Sequence, residues 1–315
     1  MKKYQVKKYT TDYYFQWNAF VSEAKNATFL FHRDFMEYHK DRFEDFSLLI
    51  FDENDNLKAI LPANKVQHTL YSHQGLTYGG LLLPKRVKYE EVKCFFETVL
   101  EYLKDQHIKE FVYKPILGFY TALPSEEYLF VLKEKEAVLK KREFNLCIPL
   151  KRDFVISKSK YKHYKRNGKL AFQIKKESNF SQFWNEVLIP RLQTKYNAKP
   201  VHSLEEITTL SQKFPENIVQ YTIYYEDEIV AGMTLFKSKY VIKSQYGATT
   251  DLGEKIRALD YLYFHLIERY KEDYEFFDMG TCTEDNEKGY NSGLLTQKEE
   301  LGCSLYNQDT YCISL

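Results

Sequence analysis

Glycine is scarce in this chain: 12 residues of 315, against an average usage of about 7%. Cysteine is scarcer still, with Cys94, Cys147, Cys282, Cys303 and Cys312 scattered singly and no C-x-x-C pair. An odd, dispersed set excludes a disulfide framework and a zinc ribbon, and it reads as reduced thiols of a cytoplasmic protein. The eight histidines form no ligand-spaced cluster, so no metal is expected. No stretch approaches the ~20 apolar residues of a membrane span. The basic start, MKKYQVKKYTTDYYF, lacks the apolar run of a signal peptide. A net charge of +1 gives no global preference for nucleic acid, and DNA is not expected as a partner.

What is present suits packed cores. Hydrophobic residues are 44% and aromatic residues 17%, and the length fits two domains better than one. The expected division lies near residue 150, giving domains over 1–150 and 151–315. In the first, FSLLIFDEN and LKAILPANKV read as a hairpin turning at DEND. Residues 89–106 space Val92, Phe95, Phe96, Val99, Leu100 and Leu103 at helical intervals. KEFVYKPI, EYLFVL and FNLCIPL read as strands. In the second, SKSKYKHYKRNGK is a basic helix stopped at Gly168. FSQFWNEVLIPRLQTKYN is amphipathic and broken or kinked at Pro190, and SLEEITTLSQKF opens with a capping box, Ser203 and Glu206. Three strands follow (IVQYTIYYE, IVAGMTLFK and YVIKSQYGATT). After a loop, DLGEKIR, come the apolar helix ALDYLYFHLIERYKE and the strand YEFFDMG. Both halves share a coarse order of helix, hairpin, helix and strand, which makes the fold class α/β.

The few glycines are clustered. Seven lie between Gly232 and Gly302, and Gly75, Gly79 and Gly80 lie in SHQGLTYGG. Glycine is a turn former, and it also lets a ligand approach the backbone closely. Both clusters fall after strands, where open α/β sheets bind ligands. SQYGATT, the loop, the helix start and FFDMGT together make a natural anion pocket, favoured by free N–H groups and the helix dipole. Arg257 stands at that helix start, either solvated or pairing a phosphate.

These residues resemble the GNAT acyltransferase superfamily, and more narrowly its FemAB-like branch. FFDMG resembles that family's strand ending in F-D-x-G. QKEELG (Gln297 to Gly302) is similar to its F-K-x-x-F-G, with Gln297 and Leu301 in place of the aromatics, and KSKYKHYKRNGKLAFQI is similar to the basic helix opening its second domain. The phosphate loop Q/R-x-x-G-x-G/A is reduced here to LGEKIRA, and the long helical-hairpin arm of tRNA-dependent members is not visible. The resemblance implies two tandem GNAT-like domains, each a mixed twisted sheet flanked by helices. The first is the acceptor side and the second the acyl-donor side, with a C-terminal tail free to pack back on the first. It implies an acyltransferase that moves an acyl group from acyl-CoA, as co-substrate, or from another carrier to an amine of a sugar or peptide precursor of the cell envelope. Two alternatives stand beside it: an aminoacyl-tRNA-dependent peptidoglycan-bridge ligase, and a non-catalytic module that binds a glycan precursor.

The chemistry needs donors for a developing oxyanion and a route for the amine proton. Tyr246, Gly247, Ala248, Arg257, Gly280 and Thr281 are the expected acyl-donor-binding residues, with N–H groups beside Gly247 or Gly280 at the oxyanion. Asp278 either orients the nucleophile and accepts its proton or caps neighbouring N–H groups. In LYSHQGLTYGG, Ser72, Gln74 and Tyr78 are expected on the acceptor, and His73 is a candidate base or a structural histidine. The resemblance gives Lys298 a phosphate-neutralising role. Residues 131–176 carry 15 Lys and Arg against 4 acids, so Lys165 and Arg166 sit in a solvated face or in a basic wall turned to a phosphorylated ligand.

Overall fold

The computed structural model describes residues 4–315, which fall into two units. One runs to Glu143 and takes in Asn307–Leu315; the other is Phe144–Tyr306. Their strands and helices follow the apolar spacing closely. The first unit begins with β1 (Gln5–Lys8), α1 (Tyr14–Glu23), α2 (Arg33–Met36), β2 (Glu44–Asp45) and β3 (Leu48–Phe51). It continues through β4 (Leu57–Leu61), β5 (Asn64–Val66), β6 (Thr69–Tyr71), α3 (Tyr89–Asp105), β7 (Glu110–Tyr113) and α4 (Glu127–Glu134). The division falls within β8 (Val138–Pro149). EYLFVL, expected as a strand, is α4: its buried residues are the adjacent Val131 and Leu132, which face the core from one side of a helix.

In the first unit β1, β3 and β4 pair antiparallel. A second ladder runs β2–β5–β6–β7, antiparallel except for β6 against β7, which are parallel because α3 carries the chain back across. All six apolar positions read from the helical spacing of α3 are buried. They pack in one core with Leu48, Ile50, Leu61, Leu70 and Phe111.

The second unit contains α5 (Lys158–Asn167), β9 (Gln173–Glu177), α6 (Ile189–Tyr196), α7 (Leu204–Lys213), β10 (Ile218–Tyr225), β11 (Glu228–Lys237) and β12 (Val241–Thr249). These lead to α8 (Asp251–Lys255), α9 (Ala258–Tyr270), β13 (Phe276–Thr281), α10 (Ser292–Glu300) and β14 (Ser304–Ser314). The capping box at Ser203 and Glu206 forms as written. Pro190 has no N–H to donate, and the turn before it, Phe183–Leu188, widens to π spacing. DLGEKIR, expected as a loop, is mostly the short helix α8, started by the Thr250 hydroxyl accepting from the Gly253 N–H at 3.1 Å. The strand order is β8–β13–β12–β11–β10–β9, with the single parallel pair β12 and β13 joined through α8 and α9. The far end of β14 belongs to the first unit, where Tyr311–Ser314 pairs antiparallel with β7. Among the described residues, no helix is long and apolar enough to cross a membrane, and no group of three or more His, Cys, Asp or Glu could hold a metal ion.

Candidate functional site

The parallel pair of the second unit is short. Val241, Ile242 and Lys243 match Phe276, Phe277 and Asp278, and the described pairing ends there. Beyond it β12 stays with β11, and β13 stays with β8. The two strands therefore part. Just past the parting β12 is bulged, because Tyr246 faces Thr234 and Ser244 faces Leu235, leaving Gln245 with no opposite residue. A bulge of this kind twists a strand and re-aims its backbone groups.

A cavity of about 450 Å³ opens here. Gly247, Ala248 and Thr249 of β12 and Met279 of β13 line it, and α5, α6, α8, α9 and α10, with Arg257 just before α9, contribute the rest. Five of its lining side chains are cationic (Lys160, Arg191, Lys195, Arg257 and Lys298) against two carboxylates, Glu254 and Asp260. Arg191 donates to Asp251 Oδ1 at 3.1 Å and to Glu254, and Lys195 reaches Glu254 at 3.4 Å. The Arg191 hydrogen bond holds the Glu254 carboxyl below its usual range. Lys160 is buried and pairs with Asp260 at 2.7 Å, while Gln297 donates to the other oxygen of that carboxylate at 3.2 Å. Arg257 ends the turn before α9 in the left-handed region, with φ of 55° and its guanidinium 3.9 Å from Asp260.

Tyr263 also lines the cavity. Its hydroxyl lies 3.1 Å from Ser244 Oγ, and a Cβ on Gly247 would stand 3.4 Å from it. Burial pushes its pKa up to about 12, so it stays a protonated donor at any working pH.

The expected residues divide between this cavity and the packed interior. Gly247, Ala248, Arg257 and Lys298 line it together. Lys298 is 4% exposed and donates to the carbonyls of Gly280 (3.0 Å) and Thr281 (2.9 Å). Burial pulls its pKa down, and its ammonium ties α10 to the end of β13. Asp278 is fully buried and fully engaged, accepting from Asn145 at 2.6 Å, Lys243 at 3.2 Å and the Gly280 N–H at 2.7 Å. That arrangement corrects two expectations. Asp278 has no free oxygen to receive a substrate proton, and the Gly280 N–H already has an acceptor and is not available to an oxyanion. Thr281 Oγ1 donates to the Phe144 carbonyl at 2.9 Å. Tyr246 is turned from the cavity, its hydroxyl 2.6 Å from His202 Nδ1 and its ring against Trp184. Lys165 and Arg166 are exposed on α5, Lys165 over the Tyr161 ring at 4.6 Å.

The acceptor-side residues form no open site in the first unit. Ser72 Oγ accepts from the Lys114 N–H at 2.8 Å, Gln74 is held by both ends of the Asn64 amide, and Tyr78 is buried with its hydroxyl 3.1 Å from Thr28. His73 stacks on His39 with ring centroids 5.1 Å apart. Burial drops its pKa to about 3, which leaves it far too weak a base to take an amine proton near neutral pH.

Sequence reasoning missed Lys160, Arg191, Lys195, Asp260, Gln297 and Tyr263. Leu259 and Tyr263 stand one turn apart on α9, a face that helical spacing marks. No local signal ties Arg191 on α6 to α8, because that contact is made by tertiary packing.

No family model matches the chain, and no curated protein matches it. Solved structures do. The chain is similar to the crystal structure of FemX at a TM-score of 0.71 and 10% identity, over 99% of this chain and 97% of that one. It is similar to L-PGS from Bacillus licheniformis at 0.61 and 15%, over 95% and 91%. It is also similar to a tandem GNAT protein from the clavulanic acid biosynthesis pathway at 0.52 and 8%, over 99% and 98%. The fold is therefore the tandem GNAT-like fold.

Proposed function

On the fold this chain shares with FemX and a tandem GNAT protein, we propose that it is an acyltransferase whose donor site is the cavity beside the parted strands. The observation that carries this reading is the end of pairing at Lys243 and Asp278 directly beside a cavity with five cationic side chains. Backbone freed from a strand partner is available to a substrate carbonyl. Arg257, Lys160, Arg191 and Lys195 would neutralise the phosphates of a carrier.

In the reaction a neutral amine attacks the carbonyl of a thioester or ester. The carbonyl oxygen takes up negative charge, and the bond to the carrier breaks as the amide forms. Removing one preorganised donor at such a charge costs about 100- to 1000-fold. We assign that role to β12 backbone near Gly247, with the Tyr263 hydroxyl as a second donor. The amine proton leaves through water, because the carboxylates at hand, Asp260 and Glu254, are already in ion pairs.

We assign the acceptor as an amine of a sugar or peptide precursor of the cell envelope, handled in the cytoplasm. In this reading the second unit serves the donor. The donor is acyl-CoA. A second reading takes aminoacyl-tRNA instead, and it is favoured by α5, where Lys158, Lys162, Lys165 and Arg166 are exposed with no acid in the helix.

Thermal-shift and calorimetric titration with acetyl-CoA, longer acyl-CoAs and aminoacyl-tRNA separate these donors. The expected result is stabilisation by one class of carrier that weakens about tenfold or more in Arg257→Ala. Absence of binding by any acyl carrier overturns the transferase reading.

A further inference from the structure

Exposed large apolar side chains concentrate in one stretch of the first unit. Leu123, Leu129, Phe130, Val138 and Leu139 are each 40–66% exposed. Helix α4 turns Val131 and Leu132 into the core and leaves Leu129 and Phe130 outside. Lys133 stands on the next turn, its ammonium 5.8 Å from the Phe130 ring centroid. The helix then closes tightly: the N–H groups of Lys135, Glu136 and Ala137 return to the carbonyls of Val131, Lys133 and Leu132. Only three residues therefore separate the end of α4 from Val138, the first residue of β8.

The start of β8 is unusual. Val138–Arg142 is exposed at every position, so neither face of this strand segment is covered by core, and burial begins only further along. An antiparallel strand ordinarily hides one face. Apolar Val138 and Leu139 occupy the exposed end, and Lys140, Lys141 and Arg142 follow directly. From Leu129 to Arg142 there are five cations (Lys133, Lys135, Lys140, Lys141 and Arg142) and two acids, Glu134 and Glu136. Glu134 is neutralised by Lys93 at 2.9 Å, and Lys135 pairs with Glu97 at 3.0 Å. Lys141 pairs with Glu143 at 2.9 Å and Arg142 is held bidentate by Asp309 at 2.7 Å, whereas Lys133 and Lys140 take no part in these pairs.

Apolar anchors with cations immediately behind them match the layering of a bilayer surface, with acyl chains at the boundary and phosphates above. A protein partner would match the apolar residues but gives no reason for the row of cations behind them. We propose that the corner formed by α4 and the first residues of β8 docks onto an anionic phospholipid surface. Leu129, Phe130, Val138 and Leu139 enter the headgroup boundary, and Lys133 and Lys140 sit on lipid phosphates. The transferase reading is not needed for this inference, because docking is measured without turnover.

Co-sedimentation of the full chain with vesicles tests it, comparing phosphatidylglycerol–phosphatidylcholine mixtures with phosphatidylcholine alone at low salt. The expected result is partition onto the anionic vesicles at least about tenfold stronger than onto neutral ones. The double variant Phe130→Ser with Val138→Ser should lower it by about tenfold or more. Lys133→Glu with Lys140→Glu should lower it at least as much, at about fivefold per lost cation. All four positions are exposed, so the melting temperature of each variant should match that of the parent, and circular dichroism checks this. No partition of the parent, equal partition onto neutral vesicles, or unchanged partition of both variants overturns the proposal. So does a variant effect read only in self-association by light scattering, which would make the surface a contact between copies of this chain.

Discussion

Each unit contains one short parallel strand pair joined through helix, and the two pairs end in opposite ways. In the first unit β6 matches β7 over Thr69–Tyr71 and Glu110–Val112. The chain then turns back and fills the space beyond. Ser72 donates to the Val112 carbonyl at 2.9 Å, Gly79 to Lys114 at 2.8 Å, and Ile116 to Gly79 at 3.1 Å. Tyr78, His73 and His39 pack the remainder. In the second unit the matching stops after Lys243 and Asp278 and the gap leads to a cavity. The glycines serve these ends differently. A Cβ on Gly79 would lie 1.6 Å from the Ser72 carbonyl oxygen, whereas a Cβ on Gly247 would meet nothing nearer than 3.4 Å. One glycine lets the backbone close a gap, and the other leaves a gap open.

The comparison is broken most forcefully on its closed side. Gly79→Ala drives a methyl into backbone that has no way to yield, and it should destabilise the chain by about 3 kcal/mol or more, beyond ordinary overpacking. Urea unfolding measures this, and a loss under 1 kcal/mol would show that the filled gap is loose. On the open side, Gly247→Trp should leave stability within about 0.5 kcal/mol while weakening carrier binding about 100-fold by occupying the cavity. Equal losses of stability at the two positions would erase the distinction between them.

Much of this architecture was legible in the sequence. The six apolar positions of α3, the Ser203 capping box and the strands β10 to β13 follow from periodicity and turn residues. EYLFVL misled because a short apolar run fits a strand or a half-buried helix equally well. The open cavity was legible in part, since Gly247 and Arg257 lie ten residues apart around the start of α9. The closing of the first gap was not legible. Glycine next to glycine after a strand looks the same whether a ligand or the chain's own backbone makes the close approach. The carboxylate Asp278 was ambiguous for a related reason: a residue beside a glycine at a strand end caps N–H groups or meets a substrate, and only the position of Asn145 and Lys243 decides.

A smaller effect sharpens the open side. Tyr263→Phe removes one hydroxyl and little volume, so the fold and carrier binding should hold. Turnover should fall roughly tenfold to 100-fold if that hydroxyl meets the developing charge. A rise in KM alone, with kcat unchanged, would move Tyr263 out of the chemistry.

The mildest test uses acid and reads the closed side most strongly. His39 and His73 are buried against each other, and burial lowers their pKa values to about 4 and about 3. In the unfolded chain both return to an ordinary value near 6.5. Below that value the unfolded state binds protons that the folded state refuses, so stability rises with pH through this window and is lost as pH falls from about 6.5 towards 4. At pH 5 the loss should be about 1–2 kcal/mol per histidine. Hydrogen exchange should show it first in amides around Ser72–Gly80, while amides of β12 and α9 keep their protection until global unfolding. His73→Phe should flatten the acid limb measurably, because one of the two most strongly lowered rings is gone; His32, His163 and His265, lowered by burial too, supply part of what remains. An unchanged limb in that variant would mean that the loss comes from other histidines or from carboxylates and that the stacked pair contributes nothing to it.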